Sequence, residues 1–403
     1  MSSPVPATDD SCESVGQGFS LVVGGPLFQL WLGTRLTGGR LELVRRRIIA
    51  AVLLTWMPLL VLSLVEGHAW SGSLALPFFF GVEQHLRLLL ALPLLIFAEL
   101  GAHQRILPLV QQFLRLGLIP HTARAPFDSA VASAIRLRNS RAAELLLIAL
   151  VYGVGVSYFW RNYVALDVVS WYGVMVGGKL HPSLAGWWLG CVSLPLLQFL
   201  LLRWYFRLFI WTRFLWQISN IELRLLPTHP DQCGGLGFLM AVRPAFTQLL
   251  MAQGVLLAGL IANRIFFAGS RLPDFLLDIA VVAVVTVFVI LAPLLVFFRR
   301  LEVVARTGLL EYGALAQRYA RAFDQKWLRD TAPSEEQLLG SADIQSLADM
   351  ASSFEVVRQM RSVPFTIQDV LQLGGLFLLP IFPLTLTMLS LQELLARLLK
   401  LIL

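Results

Sequence analysis

The amino-acid sequence predicts an all-α membrane protein: a polytopic helix bundle of about seven spans, N-terminus cytoplasmic, with a helical layer on the cytoplasmic side. Three observations carry this expectation. Of the 403 residues, 57% are hydrophobic and 14% charged, whereas soluble domains average about 25% charged and about 45–50% apolar residues. Seven apolar segments have the length needed to cross a hydrocarbon core of about 30 Å: residues 48–65, 86–102, 144–161, 186–206, 245–267, 276–298 and 370–391. Finally, stretches 1–47, 101–143, 203–244 and 299–369 hold 25 Lys and Arg. The intervening loops 67–85, 161–185 and 268–276 hold only Arg161, Lys179 and Arg271, the asymmetry expected when the basic stretches face the cytoplasm.

The chain divides accordingly. Residues 1–47 form an N-terminal tail and interfacial segment. The first eighteen are polar and acidic, with no fold of their own expected. The next stretch, broken by Gly24, Gly25 and Pro26, is too interrupted to span; it predicts a short interfacial helix carrying Phe28 and Trp31. The first twenty residues contain no Lys or Arg, so no cleaved secretory leader is expected. Residues 48–298 hold six spans with cytoplasmic helical extensions at 103–143 and 204–244. Within the first extension, residues 103–120 read as a separate helix. A second helix starts at Pro126-Phe127-Asp128 and runs past Arg141 into the third span. Residues 167–186 suggest a small hairpin cap on the opposite surface.

Residues 299–369 read as a cytoplasmic helical segment. Tyr312, Leu315, Tyr319, Phe323 and Trp327 fall on one stripe at helical spacing. The next helix, 342–361, has Ile344, Leu347, Ala351 and Phe354 as its expected buried face and ends before Pro364. Residues 370–403 comprise a last membrane segment, broken by Pro380 and Pro383, and an amphipathic tail; the broken segment is expected to cross. Pro58, Pro93, Pro195 and Pro293 interrupt four other spans. Membrane helices tolerate proline better than soluble ones do, although broken helices also occur at transporter sites.

Composition excludes several function classes. The net charge of +7 follows from the topology, and no nucleic-acid motif accompanies it. Cys12, Cys191 and Cys233 show neither disulfide nor zinc spacing. The chain lacks HExxH and GxSxG motifs, so an enzyme is disfavoured and no cofactor or metal is expected.

Ionisable groups in or beside spans are costly and are functional candidates by default. One set comprises Glu99, Glu144, Arg203 and Arg207, all placed near the cytoplasmic ends of spans two to four. Arg203 and Arg207 lie one turn apart on one helical face. These four are the leading candidate site, able to latch helices, reach headgroups or receive an anion. A second set, Arg264, Asp278 and Arg87, lies toward the outer face and predicts a structural ion pair. A weaker candidate is the loop around His229 and Asp231, where Asp231 is expected to cap a rigid turn.

Several motifs resemble those of bacterial polytopic membrane proteins with no established activity. They are Trp187-Trp188, RWYFR at 203–207, HPDQCGGLGFL at 229–239 and ADIQSLADMASSFEVVRQMR at 342–361. The resemblance runs from about Arg45 to the C-terminus. It implies a multi-pass location in a bacterial inner membrane and carries over no functional residue. The leading functional expectation is a transporter or channel for a small solute or ion. The alternatives are a non-catalytic scaffold or sensor docking a cytoplasmic protein, and a membrane-embedded lipid-modifying enzyme. The bilayer itself is the first expected partner; nucleic acid is not one, and the sequence sets no oligomeric state.

Overall fold

A computed structural model describes residues 20–22, 24, 44–70, 76–157, 170–176, 179–329 and 342–388. The expected interfacial helix at Phe28 and Trp31, Arg161 and the tail beyond Met388 lie outside the described residues. An apolar run in lipid must satisfy its backbone N–H and C=O groups internally, which selects helices. In chain order they are α1 (Val44–Val65), α2 (Val82–Arg115), α3 (His121–Arg138), α4 (Arg141–Val156), α5 (Leu184–Ser219), α6 (Gly237–Ala268), α7 (Leu272–Leu328), α8 (Ala342–Arg358) and α9 (Ile367–Leu378). α1, α2, α5, α6 and α7 are each long and apolar enough to cross a membrane. The count reaches seven where α3 with α4, bent by 46°, is one span, and α9 with the 3-10 stretch Phe382–Met388, bent by 59°, is another. The chain is thus all-α, with five to seven candidate spans. A two-stranded antiparallel hairpin, β1 (Gly173–Val176) and β2 (Lys179–Pro182), lies in the expected cap between α4 and α5.

Three helix boundaries differ from the sequence expectation. Residues 103–115 are not a separate helix but continue α2 without a break, carrying Pro108 inside it. The run from 126 into the third span is interrupted: α3 stops at Arg138, and α4 starts afresh with Ser140 as its cap, the Ser140 hydroxyl accepting from the Ala143 N–H at 3.3 Å. Asn and Ser offer the backbone local hydrogen bonds that compete with helix continuation. On α8 the inward face is rotated. Asp343, Leu347, Met350, Phe354 and Val357 form one inward row among the partly or fully buried positions, which also include Ser353, Glu355 and Val356, whereas Ala351 is exposed and Ile344 is 43% exposed. The spacing of the inward set alternates four and three residues, the pattern of a helix pair packed along its length. α8 folds back on the shaft of α7, where Asp343 accepts hydrogen bonds from Lys326 at 2.7 Å and Trp327 at 3.0 Å.

Two prolines follow widened turns. Leu86–Ala91 precedes Pro93, and Leu189–Ser193 precedes Pro195, both in π geometry. Proline has no N–H and crowds the carbonyl four residues earlier; a widened turn accommodates both effects. Pro293 lies instead in a 3-10 stretch, Ala292–Phe297, within α7.

Exposed apolar side chains mark the lipid-facing surfaces: Leu53, Val61 and Leu64 on α1, Leu145 and Val154 on α4, and Leu277, Val284 and Phe288 on α7. α6 is the most enclosed span, packed on α2 and α9. At its closest contact with α9, a Cβ on Gly254 would lie 2.2 Å from the Phe377 carbonyl oxygen. Small residues let membrane helices approach this closely. Gly254→Val is therefore expected to push α9 from the bundle, at a cost of about 1–3 kcal/mol for overpacking. Thermal unfolding in detergent checks this; an unchanged midpoint refutes the contact.

Candidate functional site: a buried charge cluster

The register of α2 and α5 brings three of the four leading residues into direct contact and the fourth beside them. Glu99 on α2 is 2% exposed, Arg207 on α5 is 3% exposed, and Arg203 is 7% exposed. One Glu99 oxygen accepts from Arg207 at 2.6 Å and lies 3.5 Å from Arg203. Arg203 also reaches Glu144 at the first turn of α4, 3.7 Å away. The other Glu99 oxygen is taken by Arg47 of α1, a buried residue outside the predicted set. The cluster therefore ties α1, α2, α4 and α5 together, with three guanidinium groups and two carboxylates. Trp204 closes one side: its indole N–H donates to the Leu95 carbonyl at 2.9 Å, and its ring lies 4.9 Å from the Arg207 guanidinium carbon. Such a contact favours a desolvated cation.

The role of Arg47 had a readable signal. Val44, Arg47, Thr55, Leu59 and Ser63 are the buried positions of α1, spaced close to multiples of one helical turn. Arg45 and Arg46 are exposed beside it. A cluster of three arginines reads first as a topology signal, and only the helical register singles out the last of them as inward.

The outer set separates. Arg264 does not pair with Asp278; its guanidinium carbon lies 5.7 Å from the Phe275 ring. Both residues line a shallow cavity of about 320 Å³ with no ion pair between them among the described residues. Arg87 pairs instead with Glu83, one turn earlier on α2, and Glu83 also accepts from Asn263 at 2.9 Å. The expected ion pair is thus replaced by a Glu83-centred one. Glu83 escaped notice because it precedes the apolar run, in a turn that belongs to α2.

The loop before α6 is a rigid turn built on Asp231. One carboxylate oxygen accepts from the N–H groups of Cys233 at 2.8 Å and Gly235 at 3.1 Å, and the other accepts from Gly237 at 2.7 Å. His229 Nδ1 lies 2.8 Å from the same carboxylate. Gly234 and Gly235 have φ of +64° and +95°, a region open mainly to glycine. Burial alone pushes the Asp231 carboxyl up, but the three N–H donors and His229 outweigh it and hold it below its ordinary value. The Cys233 thiol is fully enclosed, and burial pushes it up to about 11. The segment after α8 lies against this loop: Arg361 donates to the Asp231 carbonyl at 2.9 Å from its side chain and to the Gln232 carbonyl at 2.7 Å from its backbone. The loop therefore joins α5 and α6 to the α7–α8 pair. Among the described residues no group of three or more His, Cys, Asp or Glu is arranged to hold a metal.

Three grooves border these clusters. The largest, about 590 Å³, runs between α1, α4 and α5 and is lined by Glu144 and Arg141 at one end and by apolar side chains along its length. A second, of about 360 Å³, has Arg87, Gln198 and Gln253 on its walls; the third holds Arg264 and Asp278. Glu99, Arg203, Arg207 and Arg47 line none of them.

No protein-family model matches the chain, and neither a curated protein nor a solved structure matches it. The resemblance carried by the loop and helix motifs gains no support from those comparisons. Function must be argued from the geometry.

Proposed function

We propose that this is a multi-pass protein of a bacterial inner membrane, with its N-terminus in the cytoplasm. We assign it the role of non-catalytic scaffold or sensor, its cytoplasmic helices docking a protein partner. The carrying observation is that Arg47, Arg203 and Arg207 converge on Glu99 in the interior, all four residues less than 10% exposed. A solute site must instead leave part of its charge for the solute. Glu144 alone of the charged set meets a groove, and that groove is mainly apolar. A transporter or channel working through this cluster therefore loses its support. The basic asymmetry of the sequence supports the orientation, and the loop's bonds to the segment after α8 support coupling between bundle and polar layer.

The test is ion and solute flux across liposomes holding the purified protein. Wild type and Arg207→Lys, which keeps the charge, are expected to match protein-free vesicles. A flux that appears with wild type and disappears with Arg207→Lys, at unchanged thermal stability, overturns the scaffold reading.

A further inference from the structure

The groove between α1, α4 and α5 has a chemistry that the latch does not use. Leu145, Ile148, Tyr152, Pro195, Phe199 and Leu54 line it. Its volume of about 590 Å³ falls in the range of about 300–1,000 Å³ typical of small-ligand sites. Both flanking helices depart from α geometry along it. Val151–Val156 on α4 and Leu189–Ser193 on α5 are π turns, and both contribute to the lining. Single π turns inside helices concentrate at functional sites. The Tyr152 hydroxyl crosses between the two helices to the Cys191 carbonyl at 3.1 Å, and Ser193 donates to the Thr55 carbonyl of α1 at 2.8 Å. The widened turns are thus pinned to their neighbours while a furrow stays open beside them.

The two ends of the furrow differ. Its walls are apolar, whereas Arg141 and Glu144 stand on the first turn of α4 at its mouth. The Glu144 carboxylate is directed toward Arg203. Arg141 is exposed and makes no ion pair or side-chain hydrogen bond among the described residues. An unpaired guanidinium above an apolar slot is complementary to a molecule with a hydrocarbon tail and an anionic head. Guanidinium is also the group best shaped to grip phosphate oxygens.

We infer that this groove is a specific phospholipid site, with one acyl chain lying along Leu145, Ile148, Tyr152 and Phe199 and the headgroup phosphate held by Arg141. The site stands whether or not the polar layer docks a partner. Because Glu144 belongs to both the groove wall and the charge cluster, an occupant lies one side chain from the latch.

The protein reconstituted in phosphatidylglycerol–phosphatidylethanolamine vesicles is irradiated with a phospholipid carrying an acyl-chain diazirine, and labelled residues are mapped. A diacylglycerol probe with the same chain but no phosphate runs in parallel. Phospholipid labelling is expected to concentrate on residues 145–152 and 191–199 and to exceed diacylglycerol labelling there by about tenfold, the factor expected for one charge-assisted hydrogen bond. Arg141→Gln is expected to remove that excess and Arg141→Lys to keep most of it. Ile148→Trp, which fills the slot, is expected to suppress labelling by both probes. Equal labelling of the groove and of the α7 face around Val284 overturns the proposal, as does equal labelling by the two probes. Each variant is first matched to wild type in thermal midpoint, so a folding defect is not scored as loss of a site.

Discussion

Glu99→Gln is expected to destabilise the protein more than any other single change in the bundle. Glu99 neutralises Arg47 and Arg207 directly and lies within 3.5 Å of Arg203. An amide keeps the shape of the carboxylate but leaves Arg47 and Arg207 without their carboxylate, and only Glu144, beside Arg203, still carries a negative charge in the cluster. Removing one partner of a buried pair costs about 3–5 kcal/mol, because the remaining charge is stranded. Thermal unfolding in detergent is expected to show a lower midpoint for Glu99→Gln. Glu99→Gln combined with Arg207→Met is expected to recover part of the loss, since it removes a stranded cation as well. If the single variant unfolds with wild type, the cluster is not a latch. Arg207→Met alone is the milder change, because it leaves two arginines to face Glu99.

The second large effect is expected at Asp231. Asp231→Ala deletes the acceptor for the Cys233, Gly235 and Gly237 N–H groups. Hydrogen bonds to a charged group contribute roughly 1.5–3 kcal/mol each and are not additive within one network. A loss of about 2 kcal/mol corresponds to opening the loop roughly thirtyfold more often. The readout is alkylation of Cys233 in a Cys12→Ser, Cys191→Ser background: slow in wild type, where the thiol is enclosed, and about thirtyfold faster in Asp231→Ala. Equal rates discard the capping role.

The same carboxylate gives the loop a pH dependence of known sign. Its folded value lies below the ordinary carboxylate value of about 4. The stabilisation is therefore complete above that ordinary value and is lost as pH falls through the lower folded one. Hydrogen exchange at Cys233, Gly235 and Gly237, corrected for intrinsic rates, is expected to keep its protection above the ordinary carboxylate value and to lose it as pH falls from there through the folded one. Protection that does not change across that range discards the carboxylate's role.

Hydropathy made the helical architecture legible because lipid imposes long apolar runs on any spanning helix. Five helices fall where apolar runs were long enough, and the last run is broken at its prolines. Hydropathy registers length and polarity only, so it missed the continuation of α2 past His103 and the break at Ser140. These depend on how the backbone of one turn is bonded. Glu99, Arg203 and Arg207 were legible as a group, since each was a charge at the end of an apolar run. Arg47 and Glu83 were passed over, because each lay beside an apolar run and could be assigned to the boundary, although the helical register of α1 marked Arg47 as inward. The inward face of α8 was hidden for a related reason: its first member is Asp343, which packs by hydrogen bonding to Lys326 and Trp327 rather than by burying hydrocarbon.

The 57 residues of α7, at 1.5 Å per residue, make a rod about 85 Å long. The 3-10 stretch Ala292–Phe297 interrupts it partway along, leaving Phe298–Leu328 as an arm of about 46 Å. A tilt of only about 5° at that interruption moves the tip of such an arm by about 4 Å, on the scale of a helical turn. α8 is clamped along the arm through Phe354 and Asp343, so it travels with it. A displacement too small to notice among the lipid-facing side chains is magnified at the far tip by leverage alone.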